Sequence, residues 1–370
     1  MKLRRILKWS TRAILLALSL AFLAGFFAYW RSTNECDRNT AAPIRPMKAI
    51  RYCEYGTPVK LDDVEKAAPK DDQVLIKVRA ASLNALDAYM IRDAWLNRLI
   101  FGWRKPKETR LGRDVAGKVE AVGKDVTEFK PGDEVFGVCR GALAEYACAS
   151  ERGLVMKPAN ITFEQAASIP LAGLTALQGL RNGKMQSEQK VLINGASGGV
   201  GTFAVQIAKS FGADVTAVCS TRNVDLIRSI GADRVIDYTK EDYTKGDQRY
   251  DMIFDNVCNH SFTERRRVLT RTGICVLVGM GGAGVKEGEA IGRIVGNLFM
   301  AYGLSSFTDQ KFAQYMTKVS KDDLVLLGDL VQTGKVNPVI ERIYGLSDAP
   351  EAFRLLDQGH ARGKTVVTIE

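Results

Sequence analysis

The sequence predicts an α/β protein in which a β-rich domain precedes a doubly wound parallel-sheet domain, with an N-terminal transmembrane helix in front of both. Three observations carry that expectation. Between residues 189 and 280, continuous apolar strands alternate with apolar-faced helices, the pattern of a parallel sheet covered on both faces. Between residues 47 and 150 the text is short strands broken by turns. Residues 13–30 form a run of 18 residues without one charge.

That run, AILLALSLAFLAGFFAYW, follows MKLRRILKWSTR, which carries five positive charges. As a helix it would be about 27 Å long, enough for a thin bilayer core. Tyr29, Trp30 and Arg31 make an interfacial end. A cleaved signal peptide shares the basic start, but its apolar region is shorter and no small-x-small cleavage site follows this one; a buried helix is the third alternative. A retained anchor is the expectation. The stronger positive cluster precedes the run, which would leave the C-terminal body outside the cytosol. Arg31, Arg38, Arg45 and Lys48 partly balance the flanks, so the side stays open.

The formal charge of +10 invites a nucleic-acid partner, and its distribution argues against one. Residues 1–48 hold nine Lys/Arg and two acids, leaving +3 on the other 322 residues. The basicity belongs to the membrane-flanking segment, with no phosphate-tracking face. Seven cysteines (36, 53, 139, 148, 219, 258 and 275) show no zinc-knuckle spacing, and an odd scattered count is not a disulfide framework. They are expected to be mostly small buried hydrophobes in a reducing compartment. With only His260 and His360 present, a His-rich metal site is excluded.

In chain order, MKAIRYCEYG from 47, VLIKVRAAS at 74–82, VAGKVEAVG at 115–123 and DEVFGVCRGALAEYACAS at 133–150 read as β segments, with a turn at Pro131-Gly132-Asp133. A helix is predicted from Thr162, an N-cap with Gln165 in the capping-box position. QKVLING, DVTAVCST, RVIDY, YDMIFDNV and GICVLVGM then read as strands, with VGTFAVQIAKSFGA, closed by Gly212, and NVDLIRSIGA as helices. Residues 290–307 are apolar but contain Arg293 and three glycines, so a packed helix or interface segment is expected there. KVNPVIERIYGLSDAPEAFRLL and GKTVVTIE give a strand, a helix and a last strand.

The stretch VLINGASGGVGTFAVQ fits two patterns: G-x-x-x-G-x-G from Gly195, through Gly199 and Gly201, and G-x-G-x-x-G with alanine first, through Ala196, Gly198 and Gly201. Both describe a strand end, a glycine turn and a helix whose positive end faces a pyrophosphate. The apolar strand before it and the apolar-faced helix after it support a bound dinucleotide. The first spacing resembles short-chain dehydrogenases, which pair it with Tyr-x-x-x-Lys. None of the eleven tyrosines has lysine four residues later, and the loop sits behind a β-rich domain.

Taken together, SLNALDAY (82–89), GRDVAGKVEAVGKDVTEFKPGDEVFG (112–137), ASIPLAGLTAL (167–177), NGASGGVGTFAVQIAK (194–209) and GHARGKTVV (359–367) resemble the medium-chain dehydrogenase/reductase superfamily. The branch is that of zinc-free quinone oxidoreductases and reticulon-interacting oxidoreductases, and the likeness covers roughly residues 47–370. It implies a membrane anchor and linker (1–46), a GroES-like catalytic domain (47–165), a Rossmann NADP-binding domain (166–310) and a tail (311–370) returning to the catalytic domain. Ala196 would take the first glycine position, with Ser197, Gly198, Gly199, Val200 and Gly201 completing the loop and Gly195 in the strand exit. Zinc-dependent relatives carry a cysteine where Asn84 lies, a His-Glu pair at Arg113-Asp114 and another cysteine near Leu171. None of these ligands survives here, and the four-cysteine structural lobe is absent. Zinc-assisted alcohol oxidation is therefore not expected.

Cofactor choice is read at CSTRN. An NAD-selecting enzyme places an acid at the end of the second strand, whereas Ser220 and Arg222 stand here with no acid until Asp225. A guanidinium beside a hydroxyl suits a 2'-phosphate, and by resemblance Tyr238 completes that pocket; the bland alternative is a solvated arginine at a helix start. NADPH is the expected cofactor. The resemblance places Asn84, Asp87 and Tyr89 at the catalytic cleft and Thr175 near the nicotinamide, with Asn256, Gly279 and Lys364 as further cofactor contacts. Asn84 would donate to a substrate carbonyl and Tyr89 would donate or relay a proton; their structural alternatives are a turn cap and a packing residue.

The expected function is NADPH-dependent, zinc-independent reduction of quinones or other α,β-unsaturated carbonyls by hydride transfer. Alternatives are a catalytically idle NADPH-binding scaffold or redox sensor at a membrane, and an enoyl-thioester or aldehyde reductase. Expected partners are a small apolar carbonyl or quinone substrate and a membrane through residues 13–30, with no nucleic acid and a homodimer left open.

Overall fold

The structure, a computed structural model, describes residue 26 and residues 33–38, 42–279, 292, 295, 296, 299, 303, 308–359 and 361–370, with backbone alone at residue 96. The expected anchor at 13–30, Phe26 apart, lies outside them, as do most of residues 290–307 and His360. Among the described residues no helix is long and apolar enough to cross a membrane.

The chain forms two compact units. The larger holds residues 43–51, 59–89 and 110–370, and both large sheets lie in it. It begins with an antiparallel pair, β1 (Pro46–Arg51) and β2 (Lys60–Glu65). β3 (Gln73–Ser82), β4 (Asp114–Val122), β5 (Glu134–Val138), β6 (Tyr146–Ser150) and β7 (Leu154–Met156) follow as an antiparallel set, so the single stretch expected at 133–150 is two strands. Thr162 caps the helix Phe163–Ser168 in a capping box with Gln165, as its sequence predicts.

The second sheet is parallel, with β8 (Lys190–Asn194), β9 (Asp214–Cys219), β10 (Arg234–Asp237), β11 (Tyr250–Asp255), β12 (Leu269–Leu277) and β13 (Lys311–Gln314) in the spatial order β10-β9-β8-β11-β12-β13. The order reverses between β8 and β11, the topological switch point beside which open α/β sheets bind ligands. β14 (Ile340–Gly345) and β15 (Lys364–Thr368) then return to the first sheet, β15 antiparallel to β3 and β14 parallel to β15. The GroES-like and Rossmann layers that the resemblance implies are thus both present.

Strands buried on both faces need apolar residues at every position, and β8 shows why its text is continuous. Val191 and Ile193 belong to one core cluster and Leu192 to another, because successive side chains point to opposite faces. The first cluster runs from Leu174, Leu177 and Phe203 on helices to Ala80, Ala116 and Phe136 on the antiparallel sheet. One core therefore supports both layers.

The smaller unit holds residues 52–58 and 90–109 and the described residues among 1–42. It corrects the expectation for the cysteines: Cys36 and Cys53 form a disulfide, while Cys139, Cys219, Cys258 and Cys275 are free and buried and Cys148 is free and half-buried. Asn34, almost fully buried, supports the bond by donating Nδ2 to the Cys53 carbonyl at 2.8 Å. An odd total excludes complete pairing and says nothing against one pair.

Candidate active site

The loop after β8 separates the roles of its glycines. Gly195 sits at φ +79°, the left-handed turn that lets the chain leave the strand. Ala196 is fully buried and spends its N–H on the Val218 carbonyl at 3.0 Å, so it shapes the loop from inside the core. The helix Gly199–Ser210 starts beyond Gly198, and a Cβ on Gly201 would run into the Gly195 carbonyl. Two glycines meet two different needs, a turn and a close helix approach. Gly195 is therefore the turn residue, which the family alignment had assigned to the strand exit. Ser197 accepts from Gly363 N at 2.8 Å, which fixes the loop to the chain entering β15. Gly199 and Val200 open the helix, where first-turn amides have no partner within the helix and can face an anion.

At the far end of β9, Ser220 is half-buried and Arg222 and Tyr238 are exposed. The Tyr238 amide donates to the Cys219 carbonyl at 3.0 Å, which brings the ends of β9 and β10 together. The same pairing places an acid there that spacing along one strand could not reveal. Asp237 lies opposite Cys219. Its carboxylate accepts from Thr221 Oγ1 at 2.6 Å and Thr239 Oγ1 at 2.8 Å, and these bonds hold its pKa down at about 2. Asn223, almost fully buried, donates to Ser220 Oγ at 3.2 Å, and its own Oδ1 has no hydrogen-bond partner among the described residues.

On the switch-point side, Asn256 and Gly279 follow β11 and β12 directly, and both are half-buried. Asn256 N donates to the Asn194 carbonyl at 3.1 Å and Gly279 N to the Asp255 carbonyl at 3.3 Å. Beneath them Asp255 and Arg265 form a buried ion pair at 2.7 Å, and Asp255 also accepts from Asn194 Nδ2 at 2.8 Å and Cys258 N at 2.8 Å. This pair ties β8, β11 and the following loop into one rigid edge. Thr175, in the helix Pro170–Asn182, shares a hydrogen bond with Thr317 at 2.9 Å, and Tyr315 donates to the Thr175 carbonyl.

The catalytic candidates converge on a buried polar cluster. Lys364 is 3% exposed, and its ammonium donates to the Leu83 carbonyl at 3.0 Å, Asn84 Oδ1 at 2.7 Å and Asp114 Oδ2 at 3.1 Å. Asp114 Oδ2 also accepts from Ser82 Oγ at 2.8 Å and Asn84 Nδ2 at 2.9 Å, and its Oδ1 accepts from Leu171 N at 2.9 Å. That last bond sets a carboxylate against the first turn of Pro170–Asn182, where the helix dipole favours it. Lys364 was expected on the cofactor; its three donors are instead all directed into the protein. Asn84, expected to face a substrate carbonyl, holds Lys364 and Asp114 with its two side-chain ends.

Asp87 also departs from expectation, being wholly buried beneath the cleft it was expected to line. It accepts from Asn84 N at 2.9 Å and Gly112 N at 3.2 Å, so it fixes the start of the helix Ala85–Ile91 against the strand-entry loop. Burial pushes its pKa up to about 6, the Asn84 N–H opposes the rise, the Asp114 carboxylate adds to it, and Lys364 and Arg113 counter it. Tyr89, half-buried near the end of that helix, keeps a position compatible with a proton donor. Ser82 and Asp114 were overlooked, although both stand in quoted motifs. The former was read as strand text and the latter as a lost metal position.

Zinc does not fit this donor set. Structural and catalytic zinc take thiolate, imidazole and carboxylate ligands in tetrahedral arrangement, whereas Asp114 is the one such group beside Asn84 and already holds an ammonium. Among the described residues no cluster of three or more His, Cys, Asp or Glu could hold a metal.

Comparison with known proteins agrees with this architecture. Residues 70–159 match the alcohol dehydrogenase GroES-like domain and residues 230–367 the zinc-binding dehydrogenase domain. The chain is 38% identical over 328 residues to the mouse (Mus musculus) NAD(P)H oxidoreductase RTN4IP1, mitochondrial, covering 80% of this chain and 82% of that protein. It is 34% identical over 340 residues to the Arabidopsis thaliana NADPH-dependent alkenal/one oxidoreductase, chloroplastic, covering 87% and 80%. The quinone oxidoreductase from Coxiella burnetii superposes with a TM-score of 0.74 at 32% identity, over 88% of this chain and 100% of that one.

Proposed function

The chain belongs to the medium-chain dehydrogenase/reductase superfamily, as an NAD(P)H oxidoreductase of quinone and enone reductase type, and we propose that it uses NADPH to reduce quinones or other α,β-unsaturated carbonyls without zinc. The observation that carries this reading is the Lys364 ammonium bonded to both Asn84 and Asp114, the two residues standing at metal-ligand positions. A cation that cannot bind a substrate oxygen directly takes the place of a Lewis acid, so alcohol activation loses its means while the scaffold around the cleft stays rigid.

Preference for NADPH is supported at the ends of β9 and β10. Asp237, the one carboxylate there, is occupied by Thr221 and Thr239. Ser220, Arg222 and Tyr238 remain to meet a 2'-phosphate. NADPH bound on the loop would supply a hydride to the conjugated acceptor. The protein's share is orientation by the Gly195–Gly201 loop, a fixed cleft floor built on Asn84, Asp87, Asp114 and Lys364, and a proton or hydrogen bond from Tyr89 to the developing oxyanion. The Arabidopsis relative's name gives both NADPH and an enone class of substrate, and the Coxiella relative's name gives a quinone. Residues 13–30 are proposed as a membrane anchor, which would suit apolar acceptors drawn from lipid.

The test is turnover by the full chain with NADPH and a panel of quinones, enones and enoyl thioesters, followed at the cofactor absorbance. Reduction of quinones or simple enones is expected. NADPH binding without turnover of any acceptor would replace the enzyme with the scaffold reading, and turnover of thioesters alone would move the substrate class.

A further inference from the structure

The positive charge of the body is concentrated. Beyond residue 48 the chain nets +3, yet between Arg92 and Lys107 five cations stand against the single acid Asp93. The same stretch carries the densest group of large exposed apolar side chains among the described residues. Trp95, Leu99, Ile100 and Trp103 are each more than half exposed. Trp95 and Leu99 lie one turn apart on the helix Trp95–Phe101, hence on one face, with Ile100 beside them.

The stretch is built to hold that face outward. On the opposite side of the helix Asn97 is 1% exposed and donates to the Arg92 carbonyl at 3.1 Å. Tyr55 donates its hydroxyl to the Gly102 carbonyl at 2.9 Å, and the Arg98 guanidinium lies over the Tyr55 ring at 5.3 Å. Arg98 also bonds Asp93 at 2.8 Å and reaches the carbonyls of Trp103 and Arg104 at 3.3 Å each. Exposure of two tryptophans and two aliphatic residues is costly in water, and a contiguous patch of this kind marks an interaction surface.

We propose that this face docks on an anionic lipid surface. Tryptophan sits at the headgroup level because its ring is apolar and its N–H is polar. Leucine and isoleucine reach just below, and surrounding lysine and arginine are drawn to anionic headgroups. A face with both features and a fourfold cationic excess is complementary to such a bilayer. The proposal depends neither on the anchor at 13–30 nor on the reductase reading.

The chain's four tryptophans are Trp9, Trp30, Trp95 and Trp103. The full-length variant Trp9→Phe/Trp30→Phe therefore reports from this face alone. In phosphatidylcholine vesicles with and without phosphatidylserine, its emission should shift to the blue and be quenched by acyl-chain-brominated lipid. Quenching should be greater with phosphatidylserine and weaker at high salt. Adding Leu99→Glu/Ile100→Glu should reduce quenching several-fold with the circular dichroism unchanged. Emission unaffected by brominated lipid overturns the proposal; a blue shift without quenching does so too, and assigns the face to a protein neighbour such as a second copy.

Discussion

At the scale of single residues, the site depends on two buried carboxylates treated oppositely. Asp114 is ionised against Lys364 and surrounded by donors. Replacing Lys364 by methionine keeps most of the volume but leaves a buried carboxylate without its counter-charge. Breaking a buried pair in this way costs about 3–5 kcal/mol. Urea unfolding of Lys364→Met should show a loss of that order, and a loss below ~1 kcal/mol would mean that Asp114 is not charged in the native state. Asp87 lacks such a partner. Its pKa rises from 3.8 to about 6 on folding, so the native state binds this proton more tightly than the unfolded chain. Its contribution to stability is fully present below about pH 4 and is lost as the pH climbs through about 6. Asp87→Asn should remove this component. Between those pH values the melting temperature of the variant should rise relative to wild type, and parallel curves would count against a buried titrating carboxyl.

At the scale of elements, the dinucleotide loop shows both what a sequence can carry and where it stops. The strand, glycine turn and helix were legible because an apolar run, a glycine cluster and a helical period stand next to one another. The division of labour between Gly195 and Gly201 was not, since both motifs contain enough glycines to fit. Gly201→Ala would force Cβ against the Gly195 carbonyl, so NADPH affinity should fall by about tenfold or more, measured by titration of cofactor fluorescence. Arg222→Glu should raise the Michaelis constant for NADPH by roughly 10–100-fold, the worth of a charge-assisted bond, with that for NADH little changed. Equal effects on both would remove the phosphate pocket. The helices at 85–91 and 95–101 escaped detection because seven residues give too few turns for a period to show. Asp237 escaped because parallel pairing, and not spacing along the chain, carries it to the end of β9. The contact between Lys364 and Asn84 joins residues 280 apart, and no local pattern records it.

At the scale of the whole molecule, the cysteines change the expectation of where the body resides. The sequence offered seven scattered thiols and a reducing compartment, because parity and spacing test for a framework and cannot detect one bond. The Cys36–Cys53 disulfide holds the segment after the apolar run to the start of the body. Such bonds persist where the surroundings are oxidising. The stronger basic flank before residues 13–30 argues for the same side, since it would leave the body outside the cytosol. Alkylation of the full chain under denaturing conditions without reductant should therefore modify five cysteines, and seven after reduction. Cys36→Ser should expose Cys53 to the reagent without reduction. Seven reactive thiols in protein taken directly from cells would instead place the body in a reducing compartment and return the five buried or half-buried thiols and this pair to one class.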